Sequence, residues 1–151
     1  MEWLKTLSGT IVGLDTAPLI YFIEGHPKYL PLVRPFFEAA ERGDFQVVTS
    51  TLTLTEVLVH PYRQNNPTLA RQYSSILLNS QRLRTIAVSP EIADEAAQIR
   101  AIHGLRTPDS IQLATARLAM ATAFLTNDFG LAATPGIQLL VLDSLLTAIR
   151  P

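Results

Sequence analysis

Cysteine is absent from the 151 residues, and that absence removes a disulfide framework, a thiolate nucleophile and every Cys-containing zinc site at once. A reducing compartment is compatible with it. Excess charge of either sign is lacking too, since 12 Lys and Arg face 13 Asp and Glu for a formal net charge of −1. No global positive field advertises nucleic-acid binding, so any such function rests on a local patch. Long hydrophobic runs are also missing. The most apolar stretch, Ile111 to Leu125, is broken by Arg117 and falls short of the ~20 residues that span a bilayer. Met1 to Asp15 carries one lysine and no long apolar run, which does not fit a secretory signal. The expectation is a soluble, cytoplasmic protein. With 48% hydrophobic residues the chain can bury a core as a single domain over residues 1–151, close to the usual ~100 to 150 residues of one domain.

What is there is an alternation. Short runs rich in Val, Ile, Leu and Thr read as strands at Thr10 to Leu14, Gln46 to Ser50, Leu83 to Val88, Ala123 to Thr126 and Ile137 to Leu142. Between them lie segments with helical spacing, such as Ile111, Ala114, Thr115 and Leu118. Helices are expected at Ala17 to Glu24 and Tyr29 to Arg42, and the Asn65-Asn66-Pro67 cluster should split the helical region after the second strand. Two helix starts are well marked. Ser89 can cap a helix with Pro90 at its first position, Thr107 with Pro108 repeats the arrangement, and Gly104 reads as the stop between them. Parallel strands need a crossover, which a helix usually supplies, so the pattern predicts an α/β fold: a mostly parallel sheet of about five strands with helices on both faces.

On that framework the acidic residues fall at informative places. Asp15 lies just past the first strand, Asp128 just past the fourth, Glu56 near the start of the helix after the second, and Asp109 in the first turn of the helix before the fourth. In an open α/β sheet, strand C-termini and the N-termini of the following helices share one edge, where ligands bind. Carboxylates converging there repel by about 4 kcal/mol per pair at ~4 Å and an effective dielectric of 20, and a cation removes that cost. All-oxygen ligands with room for water and phosphate suit Mg²⁺ or Mn²⁺ better than zinc. Such a site can activate water for attack on phosphorus.

Each of these residues also has an ordinary structural explanation. Asp15 could cap a helix, Asp109 could complement a helix dipole, and Asp128 could form an Asx turn within Thr126 to Gly130. Glu56 sits in the apolar run Thr51 to Val59, where a merely solvated carboxylate is harder to justify. Asp143 reads as the cap of the C-terminal helix, and Glu24, Glu91, Asp94 and Glu95 read as helix-end or surface charges.

The joint pattern resembles the PIN-domain family, especially VapC-type toxins of toxin-antitoxin pairs. The resemblance is carried by Leu14-Asp15-Thr16 with Pro18 to Tyr21, Thr53 to Leu58, Leu105 to Ser110 with Ala114-Thr115-Ala116, and Phe124 to Asp128, in that order over nearly the whole chain. It implies a three-layer α/β/α fold and metal ligation by Asp15, Glu56, Asp109 and Asp128, with Thr126 and Asn127 in support. It further implies a Mg²⁺- or Mn²⁺-dependent ribonuclease leaving a 5′-phosphate and a 3′-hydroxyl, a homodimer, and a small antitoxin partner. Thr16-Ala17 and Ser110 depart from the family's usual residues without removing a carboxylate.

Arginines greatly outnumber the two lysines, Lys5 and Lys28, and arginine suits bidentate phosphate contacts. Arg106, just before Asp109, is the best candidate for substrate, although most such arginines end as solvated or ion-paired surface. His26, His60 and His103 lack paired ligand spacing. A haloacid-dehalogenase-type phosphatase would need a second acid at Ala17, and a receiver domain would need a lysine later than Lys28. The alternatives are a non-toxin RNA-processing nuclease of the same family and, of a different class, a catalytically silent RNA- or partner-binding module.

Overall fold

The computed structural model describes residues 1–131 and 134–149. Among these residues five strands, β1 (Ile11–Leu14), β2 (Gln46–Ser50), β3 (Leu83–Ile86), β4 (Ala123–Thr126) and β5 (Gln138–Val141), form one sheet in the order β3-β2-β1-β4-β5. Every pairing is parallel, with Gly13 opposite Val48 on one side and Phe124 on the other. Among the described residues eight helices accompany it: α1 (Glu2–Lys5), α2 (Thr16–Ile23), α3 (Leu30–Glu41), α4 (Thr51–Arg63), α5 (Pro67–Asn79), α6 (Pro90–His103), α7 (Thr107–Leu118) and α8 (Leu142–Ile149). No helix among the described residues is long and apolar enough to cross a membrane.

The central strands β1, β2 and β4 are largely buried on both faces, and the two-residue period of the sheet deals side chains to two separate cores. Val12, Leu14, Val47, Leu83, Ala123, Leu125 and Leu140 join the core under α2, α3, α4, α5 and α8. Val48 and Phe124, with Ile11, Ile86 and Leu139 at its margin, join the core under α6 and α7. This is the three-layer α/β/α arrangement expected. On the α6–α7 face the approach is close: a Cβ added to Gly13 would lie 2.6 Å from the Phe124 ring and 2.7 Å from the Ala116 methyl. Glycine in β1 therefore sets how near α7 can come.

Local chemistry explains the helix ends. Ser89 accepts from the Ile92 N–H at 3.1 Å and Asn66 from the Leu69 N–H at 3.1 Å, so both read as caps. Gly104 terminates α6 with φ at +67°. Three expectations shift, and one element was not expected. Thr107 lies inside α7, whose cap position is Arg106 with no side-chain bond. β3 stops at Ile86 because the Val88 N–H turns to the Thr51 hydroxyl at 3.3 Å. Asp143 sits in the first turn of α8, its carboxylate taken by the Tyr29 hydroxyl at 2.8 Å and Lys28 at 3.4 Å. The short α1 was not foreseen, because its packing residues Trp3 and Leu4 lean on the core rather than repeat along a face.

Candidate active site

From β1 the chain moves to β2 and β3 on one side, then returns to β4 and β5 on the other. The C-terminal ends of β1 and β4 thus flank the point where strand order reverses, the usual ligand position in an open parallel sheet. Asp15 is built into that point. Its N–H donates to the Leu125 carbonyl at 2.9 Å, Oδ1 accepts from the Thr16 N–H at 2.8 Å, and Oδ2 accepts from the Thr126 hydroxyl at 2.7 Å. Thr126 in turn accepts from the Asp128 N–H at 3.1 Å. Capping and site membership therefore coincide in Asp15.

Glu56 projects from the second turn of α4, and its Oε1 accepts from the Thr16 hydroxyl at 3.1 Å. Asp109, in the first turn of α7, pairs with Arg106 Nε at 3.2 Å; its own side chain is 16% exposed against 78% for the arginine. Asp128 is exposed and receives the Gly130 N–H at 2.7 Å, closing an Asx turn. Asn127 faces elsewhere, bonding the Tyr21 hydroxyl at 3.5 Å and the Asp143 N–H at 3.1 Å. It ties α8 to the end of β4 and touches no carboxylate of the group.

Electrostatics ties these groups together. Burial raises the Asp15 pKa; the Thr126 and Thr16 bonds work against this, while the charges of Asp109 and Asp128 add to it. Glu56 is exposed as a residue, yet partial desolvation of its carboxyl raises its pKa, opposed by Thr16 and Arg106 and reinforced by Asp15 and Asp109. Asp109 thus lies within electrostatic reach of both Asp15 and Glu56, these two of each other, and Asp128 of Asp15. Among the described residues, no three acidic or imidazole groups stand close enough to form a ready cation cage. Each carboxylate instead holds a partner of its own.

A buried polar network under the site escaped the sequence reading. The Ser50 hydroxyl donates to Gln112 Oε1 at 2.9 Å, and Gln112 Nε2 donates to the Thr53 hydroxyl at 2.7 Å. Thr53 lies 2.7 Å from the Thr49 hydroxyl, which donates to the Leu14 carbonyl at 2.9 Å. The available signal was spacing: Gln112 follows Asp109 by one helical turn, and Thr53 precedes Glu56 by one. Elsewhere, Arg117 pairs with Glu95 at 3.2 Å and Arg100 donates to the Leu105 carbonyl at 3.0 Å, ordinary structural duties.

Known proteins bear on this geometry. The chain is similar to a toxin-antitoxin complex from Klebsiella pneumoniae, with 25% identity, a TM-score of 0.63, and coverage of 85% of this chain and 95% of that one. VapC20 from Mycobacterium tuberculosis, a Sarcin-Ricin loop cleaving toxin, shares the fold at 16% identity and TM-score 0.66, over 85% of this chain and 99% of that one. VapBC2 from Rickettsia felis bound to a promoter DNA fragment does so at 17% identity and TM-score 0.66, over 87% and 98%. No curated protein matches the chain by sequence. The PIN-domain family model matches residues 12–137, a span that contains all four acids and reaches from β1 through β4 to just short of β5, and this chain belongs to the PIN-domain family of nucleases.

Proposed function

We propose that the chain is a divalent-metal-dependent ribonuclease and the toxin of a toxin-antitoxin pair. The observation that carries this reading is geometric: at the edge where strand order reverses, Thr16 bonds both Asp15 and Glu56, Thr126 joins Asp15 to the Asp128 turn, and Asp109 lies close enough to act on Asp15 and Glu56. Their chemistry fits Mg²⁺ or Mn²⁺: all donors are hard carboxylate oxygens, and a cation offsets the burial and, behind it, the neighbouring negative charge that raise Asp15 and Glu56. When bound, the ion supplies charge neutralisation at the scissile phosphate and a more acidic water.

The chain's own residues do the rest. Asp15 is the fixed point, because both its oxygens are already oriented by Thr16 and Thr126. Thr16 also holds the Glu56 carboxylate, so one residue aligns two acids. Asp109 is restrained by an ion pair with a mostly exposed arginine, and such pairs contribute only about 0 to 1 kcal/mol. Arg106 can therefore exchange Asp109 for an RNA phosphate and free the carboxylate inward. Water attack with departure of the 3′ oxygen leaves a 5′-phosphate and a 3′-hydroxyl. The Klebsiella complex and the loop-cleaving activity named for VapC20 support RNA as substrate and a small antitoxin as partner. Exposed Val59, Tyr62, Ile102, Met120 and Phe129 supply apolar surface for such a partner or for a homodimer.

The test incubates purified protein with RNA and Mg²⁺ or Mn²⁺, with and without EDTA, beside Asp15→Asn. Cleavage that needs metal and is lost in the variant is expected; undiminished cleavage in excess chelator overturns the mechanism. The Arg106–Asp109 pair and the lack of a ready cation cage among the described residues favour the second reading, a silent binding module that binds RNA with or without metal and never cuts it.

A further inference from the structure

Gln112 is 3% exposed, Thr49 2%, and Ser50 and Thr53 are fully buried, so this polar chain is sealed from solvent beneath the acidic edge. Its direction follows from the donors available. The Leu14 carbonyl can only accept, which commits the Thr49 proton to it. Thr49 must then accept from Thr53, and Thr53, its proton spent, must accept from Gln112 Nε2. The amide carbonyl is left to receive the Ser50 hydroxyl. Thr16, 3.5 Å from Thr53, keeps its own proton for Glu56 at 3.1 Å.

One amide thereby clamps two helices at a defined level. Gln112 grips α7 a turn beyond Asp109, while Ser50 and Thr53 grip the first turn of α4, just before Glu56. Apolar contacts tolerate sliding; short, directed, buried hydrogen bonds do not. The same chain ends on Leu14, the residue before Asp15. Resting on the metal-dependent reading above, we infer that Gln112, acting through Thr53 and Ser50, is a positioning residue that sets the span between Glu56 and Asp109 for the cation.

The experiment compares wild type with Gln112→Met, Thr53→Val and Thr53→Ser, the last keeping the hydroxyl. Mn²⁺ is titrated calorimetrically into each metal-free folded protein, and kcat and KM for RNA are measured separately. Gln112→Met and Thr53→Val are expected to bind Mn²⁺ about 10-fold more weakly or worse, with a similar loss in kcat and little change in KM. Thr53→Ser should restore both. If Gln112→Met does not fold, the Thr53 pair decides. Folded variants that melt lower yet bind Mn²⁺ and turn over like wild type reduce the network to a stability role and overturn the inference alone. Wild type that neither binds Mn²⁺ nor cleaves RNA overturns the underlying reading and this inference with it.

Discussion

The two helical layers of this molecule solve packing in opposite ways. Over one face of the sheet, α2, α3, α4, α5 and α8 build a thick core with Phe36, Phe37, Phe45 and Tyr73, where Phe36 stacks on Trp3 at 6.2 Å and meets Phe45 at 5.0 Å. Over the other, α6 and α7 make a thinner core in which Ala96, Ala114 and Ala116 pack beside Ile92, Ile99 and Leu113 around Phe124, its one aromatic ring. Bulk supplies area on the first side; small residues supply nearness on the second. The acidic edge needs both, since Glu56 rides on α4 of the thick layer and Asp109 on α7 of the thin one. Stability and site geometry should therefore respond differently to damage on the two faces.

The largest effect is expected from Phe36→Ala, a fully buried aromatic of the thick layer, which should cost about 3 to 5 kcal/mol by leaving a cavity. Cleavage per folded molecule should stay unchanged, as measured by denaturant melts beside an RNA assay. A proportionate loss of turnover would mean the two layers are not separable. Next comes metal. A cation that binds only the folded state adds about 2.7 kcal/mol at a hundred times its Kd, so Mg²⁺ or Mn²⁺ should raise the wild-type melting temperature. In Asp109→Asn, which removes the thin layer's contribution to the acidic group, that gain should shrink, cleavage should vanish, and metal-free stability should hold or rise. A destabilised, equally metal-responsive and active variant would make Asp109 a helix-dipole residue.

Gly13→Ala should cost about 1 to 3 kcal/mol by overpacking, yet depress cleavage more than Phe36→Ala does, because the clash with Phe124 and Ala116 displaces α7 and Asp109 with it. Preserved turnover at reduced stability would show that α7 has slack. Arg106→Ala should change stability by less than about 0.5 kcal/mol while raising KM for RNA and lowering the salt slope of binding by roughly one. Equal losses of folding and binding would assign it to structure. The smallest effect belongs to Asp143, whose pKa lies below the ordinary 3.8 because the Tyr29 hydroxyl, and then Lys28, favour its charged form. A carboxyl depressed on folding adds stability above its unfolded pKa and loses it as pH falls through the folded one. Asp143→Asn should flatten the acid limb of melting temperature against pH below about pH 4; an unchanged limb would remove Asp143 from acid unfolding.

Much of this frame was legible because its causes are local. β2 and β4 begin and end where their β-rich runs do, and Ser89, Asn66 and Gly104 act where their side chains or φ angle demand. The carboxylates could be placed because strand-to-helix junctions on one edge follow from alternation alone. What was missed lies at long separation. Gln112 meets Ser50 across 62 positions and Thr53 across 59, and nothing in the run Ile111 to Leu113 says which partner a buried amide will find. Thr107 misled for a smaller reason: the backbone enters α7 one residue early, at Arg106.

By itself, then, the sequence determined two-faced strands, the order of strands and helices, and which acids stand at junctions, because period and capping act within a few residues. Only the tertiary structure decided which core each strand face joins, how near Gly13 lets α7 come, and which partners Asp109, Asp128 and Asn127 hold. It also raised Asp15 and Glu56, since desolvation and through-space charge depend on distances that exist only after distant segments have packed.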